Sequence, residues 1–241
     1  MEKTIIDNFA TKLKPLYASM ISKLEKPDDY WLFCTQWGKF FPSENKQGIL
    51  FYGRTNNGWI ESSYDVEEIF SKPYGDIYNM KDQMEWMQIY PRKPFVRLLK
   101  GLSQRYYASE DWNQHIAWSN VCKMVPSGRE GLSINDLWDK LYFNFVDIMK
   151  VELDVLSPRV VILVTGVTAG DRWDSPLFEI DKYKDLKFEE TIQWYEDFRG
   201  QVCSSSACEK DGTIFIMTDR PEFRPVTDQV ESIVSLIKRF Q

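Results

Sequence analysis

The stretch that most restricts the fold is LDVLSPRVVILVTG at 153–166. From residue 133 onward Leu137, Leu141, Phe145, Ile148, Met149 and Leu153 recur at the spacing of one helix face, after a Ser or Asn start that suits an N-cap. Ser157-Pro158 stops that helix, and the β-branched run 160–164 follows, bounded by Gly166. A continuous apolar run of strand length reads as a strand covered on both faces. Helix, short turn and buried strand in succession is the grammar of an α/β domain.

Other segments extend the pattern. The run ILFYG at 49–53 predicts a first core strand, followed by the turn-rich loop Arg54-Thr55-Asn56-Asn57-Gly58-Trp59. Residues 116–125 predict a second strand, with Ser119 and Asn120 as polar positions inside it, and 213–217 a fourth. Apolar periodicity predicts helices over 4–24, with Pro15 bending the first or ending it early, over 94–109 with Pro94 in the first turn, over a short piece at 66–70, and over 226–240. Residues 74–86 read as irregular. The expected architecture is one α/β domain over 1–241: a three-layer α/β/α sandwich around a four-stranded, mainly parallel sheet of 49–53, 117–122, 160–165 and 213–217. Ligands of such sheets bind beyond the carboxyl ends of the strands.

Composition narrows the function. A chain of 241 residues with 43% hydrophobic residues and nine Trp has the material for one large core. Its net charge of −6 disfavours tight, general binding to a phosphate backbone, which needs clustered Lys and Arg. The amino-terminal segment lacks the pattern of a signal peptide, and no apolar run approaches the ~18 residues of a membrane span, so the expectation is a cytoplasmic protein with no membrane partner. Cys34, Cys122, Cys203 and Cys208 form no C-x-x-C pair and read as reduced thiols, although a tight turn would bring Cys203 to Cys208. With His115 as the single histidine, no metal and no cofactor are expected.

Four segments together resemble the uracil-DNA glycosylase superfamily: ILFYGRTNNGW at 49–59, WSNVCKM at 118–124, LDVLSPRVVILVTG at 153–166 and TIFIMTDRPEFR at 213–224. The resemblance implies the strand order 2-1-3-4, a water-activating loop after the first strand, a base-reading residue at Asn120, and a loop after the fourth strand that stabilises the departing base. Thr55 and Asn56 stand where the family usually has its water-activating residue, and Arg220 replaces the histidine before the proline. Arg220 would stabilise an anion electrostatically, or bind a phosphate or carboxylate through its planar fork. Efficient uracil excision is therefore not expected, because losing one preorganised group typically costs about a hundred-fold or more in rate.

The expected site is lined by Gly53, Arg54, Thr55, Asn56, Asn57, Asn120, Gly166, Asp219 and Arg220, with Asn56 and Arg220 as catalytic candidates and Tyr52 or Trp59 available to stack on a flat ring. Each residue has a plainer reading. Asn120 would satisfy backbone groups at a strand end, Tyr52 and Trp59 would serve the core, and Asp219, Arg220 and Arg224 would form surface ion pairs. His115 falls at the start of a strand, the wrong end for the site. Arg92, Lys93, Arg97, Lys100 and Arg105 would steer a phosphate backbone or form a solvated face. The ligand would be a nucleobase, nucleotide or nucleic-acid end, with hydrolysis of an N-glycosidic bond to an unusual base as the enzymatic alternative. A protein partner on an exposed aromatic and acidic surface is the non-enzymatic one.

Overall fold

The computed structural model describes residues 3–41, 48–55, 87–127, 133–166, 173 and 175–241, with side chains from residue 8 onward. Its helices are α1 (Lys3–Ile21), α2 (Pro94–Tyr107), α3 (Ile134–Leu156), α4 (Ser175–Glu179) and α5 (Val226–Arg239). Its strands are β1 (Tyr30–Leu32), β2 (Gln36–Trp37), β3 (Ile49–Gly53), β4 (Ile116–Asn120), β5 (Met124–Pro126), β6 (Val160–Leu163), β7 (Glu190–Glu196), β8 (Val202–Lys210) and β9 (Thr213–Thr218). The expected helix at 66–70 and the irregular stretch at 74–86 lie outside the described residues.

Among the described residues the main sheet has seven strands in the order β2-β4-β3-β6-β9-β8-β7, rather than the four expected. Its centre is parallel: β3 pairs with β4 on one side and β6 on the other, and β6 pairs with β9. Antiparallel strands extend both flanks, β2 against β4 and the hairpin β7–β8 against β9. A separate two-stranded sheet pairs β1 with β5.

The central strands are apolar on both sides because both sides are covered. Leu50, Tyr52, Val161, Leu163 and Phe215 face a core shared with Phe9, Leu13 and Tyr17 of α1 and Leu141, Phe145 and Ile148 of α3. Ile49, Phe51, Val160, Ile162, Ile214 and Ile216 face the opposite core, closed by Leu98, Leu99 and Leu102 of α2 and Ile233, Leu236 and Ile237 of α5. Burying each large aliphatic side chain contributes about 1.5–3 kcal/mol, so these two cores hold the layers together.

Local sequence sets the element ends. Ser133 caps α3 in a reciprocal box with Asp136, and Ser157 takes the left-handed conformation at its end. Pro15, expected to bend or shorten the first helix, sits inside α1 without ending it. Leu13, Tyr17 and Met20, on either side of it, are fully buried against α3, and that packing outweighs the lost backbone bond. β4 ends at Asn120, short of the expected residue 122, because the chain turns there while Val121 and Cys122 still donate to the carbonyls of Gly53 and Arg54.

All four cysteines are buried, and none is in a disulfide among the described residues. Cys203 and Cys208 lie on the single extended strand β8, about 17 Å apart at strand rise, so no turn brings them together. Burial pushes the Cys208 thiol up to about 11.

Candidate functional site

The next helix described after β3, α2, packs on the face it shares with α5, and the next after β6, α4, buries Leu177 on the face of α1 and α3. Neighbouring parallel strands whose connections depart to opposite faces open a crevice at their carboxyl ends, the usual ligand site of such sheets. Arg54, the residue after β3, spans this crevice: its Nε donates to the carbonyl of Thr165, beyond β6, at 2.6 Å. Its guanidinium also lies 5.9 Å from the centre of the Trp173 ring.

An open cavity of about 360 Å3 lies here, lined by Arg54, Gly166, Gln201, Asp219, Arg220, Glu222, Phe223 and Arg224. Gly166 has φ +109°, a conformation suited to glycine, and its N–H donates to the Thr218 carbonyl, tying the end of β6 to that of β9. Asp219 is nearly buried; its Oδ2 accepts the Ser204 N–H at 2.9 Å, and its backbone N–H donates to the Ser204 carbonyl. Gln229 on α5 donates to the Asp219 carbonyl at 2.6 Å and to Thr218 Oγ1 at 2.9 Å. The loop after β9 is thus fastened from β6, β8 and α5. On it, Arg224 lies 3.9 Å from Asp219 and donates to the Arg220 carbonyl at 2.9 Å, while Arg220 pairs with Glu222 at 2.8 Å. Phe223, at φ +62°, projects wholly into solvent.

Gln201 reaches the cavity from the β7–β8 turn, which Asp197 closes by accepting the N–H groups of Arg199 and Gln201 at 2.8 and 2.9 Å. The hydrogen bond from Gln201 is the leading cause that holds the Asp197 carboxyl below its ordinary value.

Of the expected site residues, Arg54, Gly166, Asp219 and Arg220 come together in this cavity. Gly53 and Asn120 do not line it. They are buried side by side, so close that a Cβ on Gly53 would lie 2.5 Å from Asn120 Oδ1. The Trp118 indole donates to that oxygen at 3.4 Å, which fits the plainer reading of Asn120 as a satisfied polar residue at a strand end. Thr55 has a buried hydroxyl without a partner among the described residues and is not among the lining residues. Asn56, Asn57 and Trp59 lie outside the described residues. Tyr52 is not available for stacking: it is fully buried and donates to Glu152 at 2.9 Å.

His115 sits at the amino end of β4, stacked on Tyr107 at 4.9 Å with Nε2 3.2 Å from Ser109 Oγ. Of the basic cluster, Arg92, Lys93 and Arg97 are exposed, and Arg105 bridges α2 to Glu231 of α5 at 2.5 Å. Among the described residues, no group of three or more His, Cys, Asp or Glu is placed to hold a metal ion, and no helix is long and apolar enough to cross a membrane.

Sequence reasoning missed Gln201, Glu222 and Phe223, and it missed a second polar centre. Lys123 and Glu152 form a fully buried ion pair beside Ser119, Thr35 and Tyr52. A signal for it was present, since Glu152 falls where the spacing Leu141, Phe145, Ile148, Met149 calls for an apolar core residue. No protein-family model matches the chain, and no curated protein matches it.

Proposed function

We propose that this chain is a divergent uracil-DNA glycosylase-like protein that binds a nucleobase, nucleotide or nucleic-acid end in the cavity at the carboxyl ends of β3, β6 and β9. The observation that carries this reading is the convergence there of Arg54, Gly166, Asp219 and Arg220, drawn from three strand ends far apart in sequence. The order β4-β3-β6-β9 of the parallel strands supports it, being the order 2-1-3-4 that the resemblance implies.

Two features argue against efficient uracil excision. The base-reading position, Asn120, is buried behind Gly53, and Arg220 stands where a histidine would stabilise the leaving base. Arg220 does line the cavity, so hydrolysis of an N-glycosidic bond to a different base is the enzymatic form of the same proposal.

The test is a thermal-shift panel of free bases, nucleosides, nucleotides and short single strands, run beside an assay of uracil release from single- and double-stranded uracil-containing DNA. Stabilisation by a base or nucleotide, weakened by Arg220→Ala, with no sustained uracil release is the expected result. A flat panel would remove the nucleobase reading and leave a protein partner at the exposed Phe198 and Phe223. Rapid release abolished by Asn120→Ala and Arg220→Ala would show a true glycosylase.

A further inference from the structure

The cavity gathers three guanidinium groups against two carboxylates among its described lining residues, in a chain whose net charge is −6. Asp219 accepts from the Ser204 N–H and faces Arg224, and Glu222 pairs with Arg220, so the carboxylates help to orient two of the arginines while the described lining keeps one positive charge in excess. Two of the arginines are oriented by bonds to carbonyls, Arg54 through Nε to Thr165 and Arg224 through Nη1 to Arg220. Guanidinium planes set in advance suit an anion with several terminal oxygens. Beside them Phe223 is held in a left-handed backbone conformation that bulky residues rarely adopt, and its ring is fully exposed at the cavity mouth.

We infer that the cavity is a phosphate-monoester site with an aromatic ledge: the phosphate sits among Arg54, Arg220 and Arg224, and the attached planar ring stacks on Phe223. A monoester carries about −1.5 to −2 charges and three terminal acceptor oxygens. A phosphodiester within a strand offers less to three arginines, and a long polyanion is opposed by the charge of the whole chain. The ligand is therefore a mononucleotide or the phosphorylated end of a strand. The ring half of this inference rests on the proposed nucleobase reading; the phosphate half does not.

Calorimetric titration of the full chain separates the two halves. The probes are a nucleoside, its monophosphate, ribose phosphate, inorganic phosphate, and a short single strand with and without a terminal phosphate. The monophosphate is expected to bind about tenfold or more tighter than the nucleoside, and Arg220→Gln and Arg224→Gln each to remove about tenfold, as for hydrogen bonds to charged groups. Arg220 is half-exposed and its substitution should leave the melting temperature unchanged, so its effect reads binding alone. Phe223→Ala should weaken the nucleotide and leave inorganic phosphate unaffected. A strand that binds only when phosphorylated, and more tightly than the mononucleotide, would assign the ligand to a strand end. Equal affinity for the nucleoside and its monophosphate would overturn the phosphate site and leave the nucleobase reading standing. Equal affinity for nucleotide and ribose phosphate, unmoved by Phe223→Ala, would overturn the ring half and the nucleobase reading with it. Binding of no probe would overturn both.

Discussion

Lys123 Nζ lies 2.8 Å from Glu152 Oε2, and neither side chain reaches solvent. The ammonium also donates to Glu152 Oε1 at 2.9 Å and to Ser119 Oγ at 2.6 Å, and the carboxylate accepts from Tyr52 at 2.9 Å and from Thr35. Burial pushes Lys123 below its ordinary value, while Glu152 acts in the opposite direction. Each charge is tolerable only because the other is present. Lys123→Met or Glu152→Gln alone should therefore lower stability by about 3–5 kcal/mol, because it leaves an uncompensated buried group. The double variant should lose clearly less than the sum, since the two changes share one interaction. A double-mutant cycle by urea unfolding measures this, and simple additivity would show that the pair is not coupled.

Alkaline pH probes the same interior. Burial holds Tyr17, Tyr52 and Tyr107 above their ordinary value of 10.0, and the Glu152 charge raises Tyr52 further. Above about pH 10 the unfolded chain releases these protons while the folded chain keeps them, so stability present below that pH is lost as pH rises toward the folded values. Lys123, held low, has the opposite slope up to 10.5 and none beyond it. Unfolding free energy should fall above pH ~10, and its slope against pH should be shallower in Tyr52→Phe, whatever that variant's absolute stability. Equal slopes would mean that Tyr52 ionises as readily in the folded chain as in the unfolded one.

Two glycines test how closely the elements approach. A Cβ at Gly53 would meet a side-chain atom, Asn120 Oδ1, at 2.5 Å, whereas at Gly38 it would meet the backbone of Gln114 at 2.2 Å. Gly53→Ala should cost about 1–3 kcal/mol, as overpacking usually does, and part of that should return in Gly53→Ala/Asn120→Ala, where the oxygen is gone. Gly38→Ala should cost more, because backbone cannot step aside. Thermal melts of the parent and the three variants decide this, and a harmless Gly38→Ala would mean that β2 and the 113–114 turn can separate at little cost.

The parallel centre of the sheet was legible because its four strands are apolar on both faces, and a buried apolar run is the signal that periodicity detects. The hairpin β7–β8 was not. The buried positions of β8 include Ser205, Ser206 and Ala207, and the serines are satisfied by neighbours: Ser205 with Thr218 and Ser232, Ser206 with Thr191. Small polar residues that bond to one another across strands leave no apolar stripe to read. The candidate site was legible where it follows from topology, at the strand ends carrying Arg54, Gly166, Asp219 and Arg220. Gln201 was hidden with its hairpin. Asn120 was misplaced because sequence puts it at the right strand end but cannot show that Gly53 packs over it.

Asp219 and Arg220 adjoin in sequence and line one cavity, yet they should respond oppositely to substitution. Asp219 is nearly buried, and its carboxylate joins β8 to the end of β9 through the Ser204 N–H while facing the half-buried Arg224. Asp219→Ala leaves that N–H without its acceptor and that guanidinium without its counter-charge, and should lower stability by about 1–3 kcal/mol. Arg220 is half-exposed and pairs with Glu222, also in contact with water. Ion pairs of this kind contribute about 0–1 kcal/mol, so Arg220→Ala should leave the unfolding midpoint nearly unchanged. Ligand binding should show the reverse order for Arg220: a large loss of affinity with no loss of fold. Urea unfolding and nucleotide titration on the same two variants separate the roles. A destabilised Arg220→Ala would make that arginine part of the scaffold, and a fully stable Asp219→Ala would mean that the loop after β9 is held by its backbone bonds to β6, β8 and α5 alone.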